Sequence, residues 1–173
     1  MQIYNRVKTE LIIRSNSSDI DFALLKDGKL VELYDETLDN NFSVGDIFLC
    51  IVKKTLSGLN ASFVNVGSEK DAFLHYHDLG PQLSSLKKFT QQVSTGKRED
   101  FTLKGFQFEK DINKHGKIDD AIKAGQNMLV QVVKEPISTK GPRISSELSI
   151  AGRYLVLVPF SDRVSVSQKI VNN

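Results

Sequence analysis

Residues 44–75, VGDIFLCIVKKTLSGLNASFVNVGSEKDAFLH, contain three short apolar runs separated by turn residues. The runs are 46–54, 60–67 and 71–75, with LSGL between the first two and a polar turn at 67–71. Runs of this length, bounded by Gly, Ser and Asn, are typical of β-strands joined by hairpins. The stretch therefore predicts three consecutive antiparallel strands.

The residues before this stretch also indicate β structure. Runs 10–14 and 19–25 are apolar, and Asp27-Gly28 separates Phe22–Lys26 from Lys29–Tyr34. An Asp-Gly pair between two such runs predicts a hairpin, because glycine accepts the positive φ of a tight turn. The polar residues 35–43 indicate a boundary.

The residues after it fall into a long insertion and a second set of strands. Residues 80–120 show little periodicity apart from one short strand expected near 101–108. A short helix at 118–123, ended by Gly125, is followed by strands at 127–134 and 142–148 around a loop at 135–141. Further strands are expected at 153–158 and 164–170. The pattern predicts an all-β protein.

Composition excludes several classes of protein. The chain has 173 residues, of which 40% are hydrophobic and 25% charged, which is typical of a globular protein and not of a disordered one. The single cysteine, Cys50, excludes an internal disulfide. We expect neither a signal peptide nor a membrane helix, and we expect a cytoplasmic protein. The net charge of +2 only weakly favours a polyanionic partner.

Alternation along 61–66 places one aromatic side chain on the outer face of its strand. Successive side chains of a strand point to opposite faces. Val64 and Val66 mark the buried face, so Phe63 shares the other face with Ala61 and Asn65.

The next strand has the same feature. Ala72 and Leu74 form the natural inward pair, which turns Phe73 outward beside Asp71. Two outward phenylalanines on neighbouring strands would form a platform on which bases of single-stranded nucleic acid stack. Alternatively, either ring packs under the long insertion or against a neighbouring domain.

Three lysines would complete such a platform. Lys53, Lys54 and Lys140 are close to it in the expected fold and would contact phosphates. Isolated lysines are also common on solvated surfaces, so both interpretations stay open.

Four segments resemble the S1 domain, an RNA-binding OB-fold barrel of five strands. They are VGDIFLCIVKK, ASFVNVGSEKDAFLH, IKAGQNMLVQVVKE and RISSELS. The run 126–170 further resembles the N-terminal region of the ribonuclease E/G family, closest to its ribonuclease G branch. The elements TKG-x-R, RYLV-x-x-P and VSVSQ-x-I carry this resemblance.

The resemblance implies a mainly β fold in which the S1 barrel is inserted into a partial RNase H-like subdomain. Residues 1–43 would be the first part of that subdomain, 44–148 the S1 domain and 149–173 the start of the second part. It implies a homo-oligomeric endoribonuclease that cleaves single-stranded RNA, prefers a 5′-monophosphate end, and acts in ribosomal RNA processing and messenger RNA decay.

The resemblance also assigns site residues. Phe63 and Phe73 match RNA-stacking aromatics and Lys140 matches an RNA-contacting lysine. Gly152 and Val156 match positions that line a pocket for the 5′-phosphate. Val66 stands where ribonuclease E has an aromatic residue, and Gln168 where it has an arginine.

We expect no catalytic or metal-binding residue in this chain. The resemblance places hydrolysis in a later DNase I-like domain that holds Mg²⁺, and Zn²⁺ is a second metal expected in the parent protein. Asp111, Asp119 and Asp120 are more typical of a solvated face or a helix cap. His75-x-His77-Asp78 lacks the further ligands of a zinc site.

Two other functions remain open at the sequence level. A stand-alone S1 module would bind RNA as a translation factor without nuclease activity, although the RYLV-x-x-P and VSVSQ-x-I elements speak against it. A structural scaffold would use its strands for subunit contacts alone.

Overall fold

The chain divides into two compact units, with the boundary between residues 41 and 42. The computed structural model describes residues 7–37, 42–100, 102–152 and 155–162. The domain limits that the resemblance implies, after residues 43 and 148, stay predictions.

The first unit is a three-stranded antiparallel sheet. It consists of β1 (Thr9–Ser15), β2 (Asp19–Lys26) and β3 (Lys29–Thr37), in the order β1-β2-β3. Asp27 and Gly28 join β2 to β3 with φ values of 48° and 74°. Two consecutive positive φ values are what a tight I′ hairpin turn requires. The predicted hairpin is confirmed.

The second unit contains a closed five-stranded barrel. Its strands follow the spatial order β4-β5-β6-β8-β7, in which β6 and β8 run parallel and the other neighbours antiparallel. This barrel confirms the predicted mainly β, OB-type fold. The strands are β4 (Ile47–Leu56), β5 (Ala61–Asn65), β6 (Ala72–His75), β7 (Asn127–Lys134) and β8 (Arg143–Ser145).

The barrel interior is apolar and closely packed. One side of each strand faces inward, as the period of two requires. The inward side chains, each at most 2% exposed, are Cys50, Val52, Val64, Ala72, Leu74, Met128, Val130, Val132 and Ile144. Burial of this surface supplies the main stabilisation of the barrel.

The insertion contains a helix that the sequence analysis did not predict. Helix α1 (Leu83–Ser94) buries Leu83, Leu86 and Thr90. These positions lie at i, i+3 and i+7, but only two of them are large and apolar, so polar neighbours obscure the helical period.

The strand expected near residues 101–108 is wrong for the described part, 102–108, which is irregular. This segment is held by side-chain contacts and not by the backbone hydrogen bonds of a strand. The Arg98 guanidinium lies 5.5 Å from the ring centre of Phe89 and 5.7 Å from that of Phe106. It also donates hydrogen bonds to the carbonyls of Thr102 and Lys104.

Two further elements are shorter than predicted. Helix α2 (Ile118–Ala121) ends because Ile122 is extended, and β8 ends at Ser145. Strands β9 (Ile150–Ala151) and β10 (Val156–Leu157) pair with each other. The expected strand at 164–170 lies outside the described residues. Among the helices that the structure describes, none has the length and apolarity to cross a membrane.

Candidate nucleic-acid interface

One row of side chains crosses all five strands on the outer surface of the barrel. Lys54 pairs with Phe63, and Phe63 with Phe73 on the next strand. Phe73 pairs in turn with Arg143, and Arg143 with Lys134. Two aromatic residues therefore lie at the centre of the row, with cations on both sides.

Two β-bulges bring the outer lysines into this row. In β4 the register shifts between Val52 and Lys54, so Lys53 is the extra residue and Lys54 pairs across to β5. In β7 the shift between Val132 and Lys134 has the same effect. Bulges of this kind re-aim side chains next to functional sites.

The two phenylalanines form an edge-to-face pair, as favoured by aromatic quadrupoles. The ring centres of Phe63 and Phe73 are 6.0 Å apart at an interplanar angle of 69°. Both side chains are half-buried. The Lys54 ammonium lies 5.5 Å from the centre of the Phe63 ring. The structure thus places both residues on neighbouring strands, as alternation predicts, and their RNA-binding role stays a prediction.

Ala61 was expected on the same outer face, but it is completely buried. It follows Asn60, whose side chain donates to the Gly116 carbonyl and accepts from the Ile118 amide. These bonds fasten the end of the insertion to the start of β5. The outer face is therefore covered at Ala61 and open at Phe63.

A groove with a volume of about 860 Å³ lies over the aromatic pair. It is lined by the residues of the row, by residues 70 and 71 before β6, and by residues of the β7–β8 loop. We call this loop, residues 135–141, the lysine loop. No described residue of 80–120 lines the groove. The insertion therefore does not cover the two rings on the side that faces the groove. Its charged lining residues are Lys54, Lys70, Lys134, Lys140 and Arg143, with Asp71 and Glu135.

Two ion pairs neutralise part of this charge. Arg143 donates from Nε and Nη2 to the two carboxylate oxygens of Asp78 at 2.9 and 2.8 Å. This contact raises the pKa of Arg143 above its ordinary value, so it stays cationic. The Lys53 ammonium lies 2.8 Å from the Asp71 carboxylate.

Four lysines of the groove keep their charge available. Within the described ranges, none of them has a carboxylate within ion-pair distance. Exposed ammonium groups without a carboxylate partner are suited to contact the phosphates of a nucleic acid strand. They are Lys54, Lys70, Lys134 and Lys140.

Part of this set was predicted from the sequence. Lys54 and Lys140 line the groove as expected, whereas Lys53 pairs with Asp71 and does not line it. Lys70 and Lys134 were not predicted, and Arg143 was noted only as part of the TKG-x-R and RISSELS elements. Lys134 ends one predicted strand and Arg143 lies at the start of the next. Because the two strands were expected to be joined by a loop, this position could have indicated that the two cations are neighbours.

The residues matched to a 5′-phosphate pocket lie in a separate hairpin. The Gly152 amide donates to the Leu155 carbonyl at 2.8 Å, and Val156 pairs with Ala151. Neither residue lines the groove. Their role stays a prediction, and Gln168 lies outside the described residues. Val66 is buried, so it offers no stacking surface.

The acidic and histidine residues considered for metals have other contacts. The His75 and His77 rings stack with centres 5.0 Å apart, while Asp78 binds Arg143. Hydrogen bonds from Ser57 and Thr55 lower the pKa of Asp119. In the described part of the chain, no group of three or more His, Cys, Asp or Glu could hold a metal ion.

Comparison with known proteins adds independent information. No protein-family model matches the chain. Ribonuclease G of Escherichia coli is 32% identical over 161 residues, which are 93% of this chain and 29% of that protein. A ribonuclease E/G-like protein of Pyropia yezoensis is 35% identical over 131 residues, 75% of this chain and 20% of that protein.

A third relative gives the same result. Ribonuclease E of Nostoc sp. is 32% identical over 149 residues, which are 86% of this chain and 18% of that protein. The chain therefore spans less than a third of the length of each of these relatives, while the matches cover most of the chain itself.

Proposed function

Because the chain is homologous over most of its length to the N-terminal region of the ribonuclease E/G family, we propose that its barrel binds single-stranded RNA and orients it for endonucleolytic cleavage. The row Lys54–Phe63–Phe73–Arg143–Lys134 supports this proposal. It combines aromatic faces with flanking cations, which is the combination that single-strand binding uses.

The aromatic pair would supply the preference for single strands. A base stacked on an aromatic ring contributes about 1–3 kcal/mol, and the gain is available only to a base that has left its own stack. The half-buried rings of Phe63 and Phe73 pack edge to face on paired positions of β5 and β6. Little ordering cost is then paid when a base binds.

The lysines would supply most of the affinity. Each ammonium that neutralises a phosphate releases a condensed counterion, so binding weakens as salt rises, with a slope of about 0.7 per phosphate for single strands. If Lys54, Lys70, Lys134 and Lys140 each contact one phosphate, the slope of log K against log salt is about −3.

Endonucleolytic cleavage is proposed for the longer parent protein. We infer a homo-oligomeric, cytoplasmic endoribonuclease whose hydrolytic centre, with Mg²⁺ as its expected metal, is formed by residues outside this chain. Zn²⁺ is a second metal expected elsewhere in the parent protein. The described residues contain no group of three or more His, Cys, Asp or Glu that could hold a metal ion. Preference for a 5′-monophosphate, through Gly152 and Val156, is part of the same proposal.

Fluorescence anisotropy with a labelled RNA tests the proposed binding. The probes are a 5′-monophosphorylated single strand, the same strand with a 5′-hydroxyl, and the corresponding duplex, each measured across a salt series. We expect tighter binding of the single strand than of the duplex and a slope near −3.

The outcomes separate the parts of the proposal. Equal affinity for single strand and duplex would contradict the stacking role of the aromatic pair. Equal affinity for the two 5′ ends would contradict the 5′-phosphate pocket and leave the platform intact. Absence of binding at low salt would contradict the proposed function of this region.

A further inference from the structure

The backbones of two segments touch at one residue beside the aromatic pair. A methyl group on Gly141 would lie 2.2 Å from the carbonyl oxygen of Asp71 and 2.9 Å from that of Lys70. Both distances are below any normal contact between carbon and oxygen. The lysine loop therefore packs against the β5–β6 turn (residues 67–71) only because position 141 has no side chain.

We infer that Gly141 is a positioning residue for RNA binding: its missing side chain lets the lysine loop close on the β5–β6 turn and so sets Lys140 beside Phe63 and Phe73. This inference rests on the proposed function. It adds a residue that contacts no RNA in the proposal but decides where a phosphate-binding ammonium lies.

The lysine loop is ordered enough to transmit a shift. Ile137 and Lys140 exchange two backbone hydrogen bonds of 3.1 and 3.0 Å, which close a tight turn with Ser138 at φ 53°. Lys140 is adjacent to Gly141 in the chain, so a displaced Gly141 displaces the whole turn. The Lys140 ammonium would then move away from the groove.

The opposite wall has less freedom to move. The Asp71 carboxylate is tied to Lys53 at 2.8 Å. Immediately after it, β6 begins, and β6 is held by its antiparallel ladder with β5, in which Phe73 pairs with Phe63. On the far side of Gly141, the side chain of Pro142 is fully buried, whereas Lys140 is exposed. Strain from a side chain at position 141 is therefore expected to displace the exposed lysine loop and leave the aromatic pair in place.

A double-mutant cycle on the full chain tests the inference. The variants are Lys140→Ala, Gly141→Ala and the two combined, with Gly58→Ala as the matched control. A methyl group on Gly58 would have no atom within 4 Å, and its φ is not positive. RNA affinity is measured with the labelled single strand across a salt series.

Lys140→Ala removes one phosphate contact, so the slope falls by about 0.7 and affinity at 0.1 M salt falls about fivefold. We expect Gly141→Ala to cause the same two changes, and the double variant to match either single variant. A loss of fold would remove all four lysine contacts and most of the affinity, whereas the expected change removes one contact and leaves about a fifth of the affinity. Gly58→Ala is expected to bind like the wild type.

Other results would overturn the inference. One is a Gly141→Ala protein that binds like the wild type while Lys140→Ala binds weakly. Another is a double variant whose losses add. In both cases the wild type still prefers single strands, so the proposed function survives. A wild type that does not bind RNA would overturn the proposed function and this inference together.

A glycine inserted between Lys140 and Gly141 covers the case in which Gly141→Ala does not fold. The insertion keeps the close approach at Gly141 and lengthens an exposed loop by one residue, at a small entropic cost. It moves Lys140 one residue away from the contact. We expect the same slope change as in Lys140→Ala, and unchanged binding would overturn the inference.

Discussion

Replacing Phe63 and Phe73 by alanine, singly and together, removes the aromatic surface of the groove while leaving its charges. A stacked base is worth about 1–3 kcal/mol, so each single change is expected to weaken RNA binding roughly 5- to 150-fold. The four unpaired lysines remain, so the slope of log K against log salt is expected to stay unchanged. Loss of affinity at constant slope is the signature of lost stacking.

The two losses are not expected to add. The ring centres are 6.0 Å apart and meet edge to face, so each ring supports the other. Residues in contact show coupling energies of about 0.5–3 kcal/mol in double-mutant cycles, and the cycle of RNA affinities should show a coupling in that range.

Anisotropy with the labelled single strand measures the affinities, and circular dichroism confirms that the variants are folded. Phe108→Ala is the matched control, because Phe108 is 55% exposed and does not line the groove. Its affinity is expected to equal that of the wild type. A folded Phe63→Ala, Phe73→Ala double variant with wild-type affinity would refute the reasoning from strand alternation to stacking.

Three further predictions concern stability. Burial raises the pKa of the Cys50 thiol from 9.0 to about 12, so above pH 9 the unfolded chain releases a proton that the folded chain keeps. Stability therefore falls with rising pH, by about 1.4 kcal/mol at pH 10, and urea unfolding should show this part of the loss in the wild type but not in Cys50→Ala. Asn60→Ala removes two hydrogen bonds to residues 116 and 118 and is expected to cost about 1–3 kcal/mol, which a wild-type unfolding midpoint would contradict. Leu74→Ala opens a cavity at a side chain with no exposed surface and is expected to cost about 2–5 kcal/mol in the same assay, against less than about 0.5 kcal/mol for the exposed Leu59→Ala.

The strands of the barrel and the outward direction of its phenylalanines could be predicted because they follow from local chemistry. Alternation with a period of two assigns Phe63 and Phe73 to the outer face without knowledge of any other strand. The Asp27-Gly28 turn is local in the same sense, since glycine tolerates the φ that the hairpin needs.

Helix α1 escaped prediction because its position depends on contacts distant in the sequence. Its buried face includes Ser85 and Thr90, and the Ser85 hydroxyl accepts a hydrogen bond from the Glu109 amide. A polar residue buried by a distant partner does not contribute to an apolar period. Packing with the insertion therefore stabilises a helix that its own pattern only weakly indicates.

The sequence by itself determined that this chain is mainly β and carries two outward aromatic residues on neighbouring strands, because strand pattern and turn chemistry act over a few residues. Only the tertiary structure decided which cations join them. Bulges in β4 and β7 select Lys54 and Lys134, while Asp71 removes Lys53 from the set. Register shifts and ion pairs arise between segments far apart in the chain, so no local pattern specifies them.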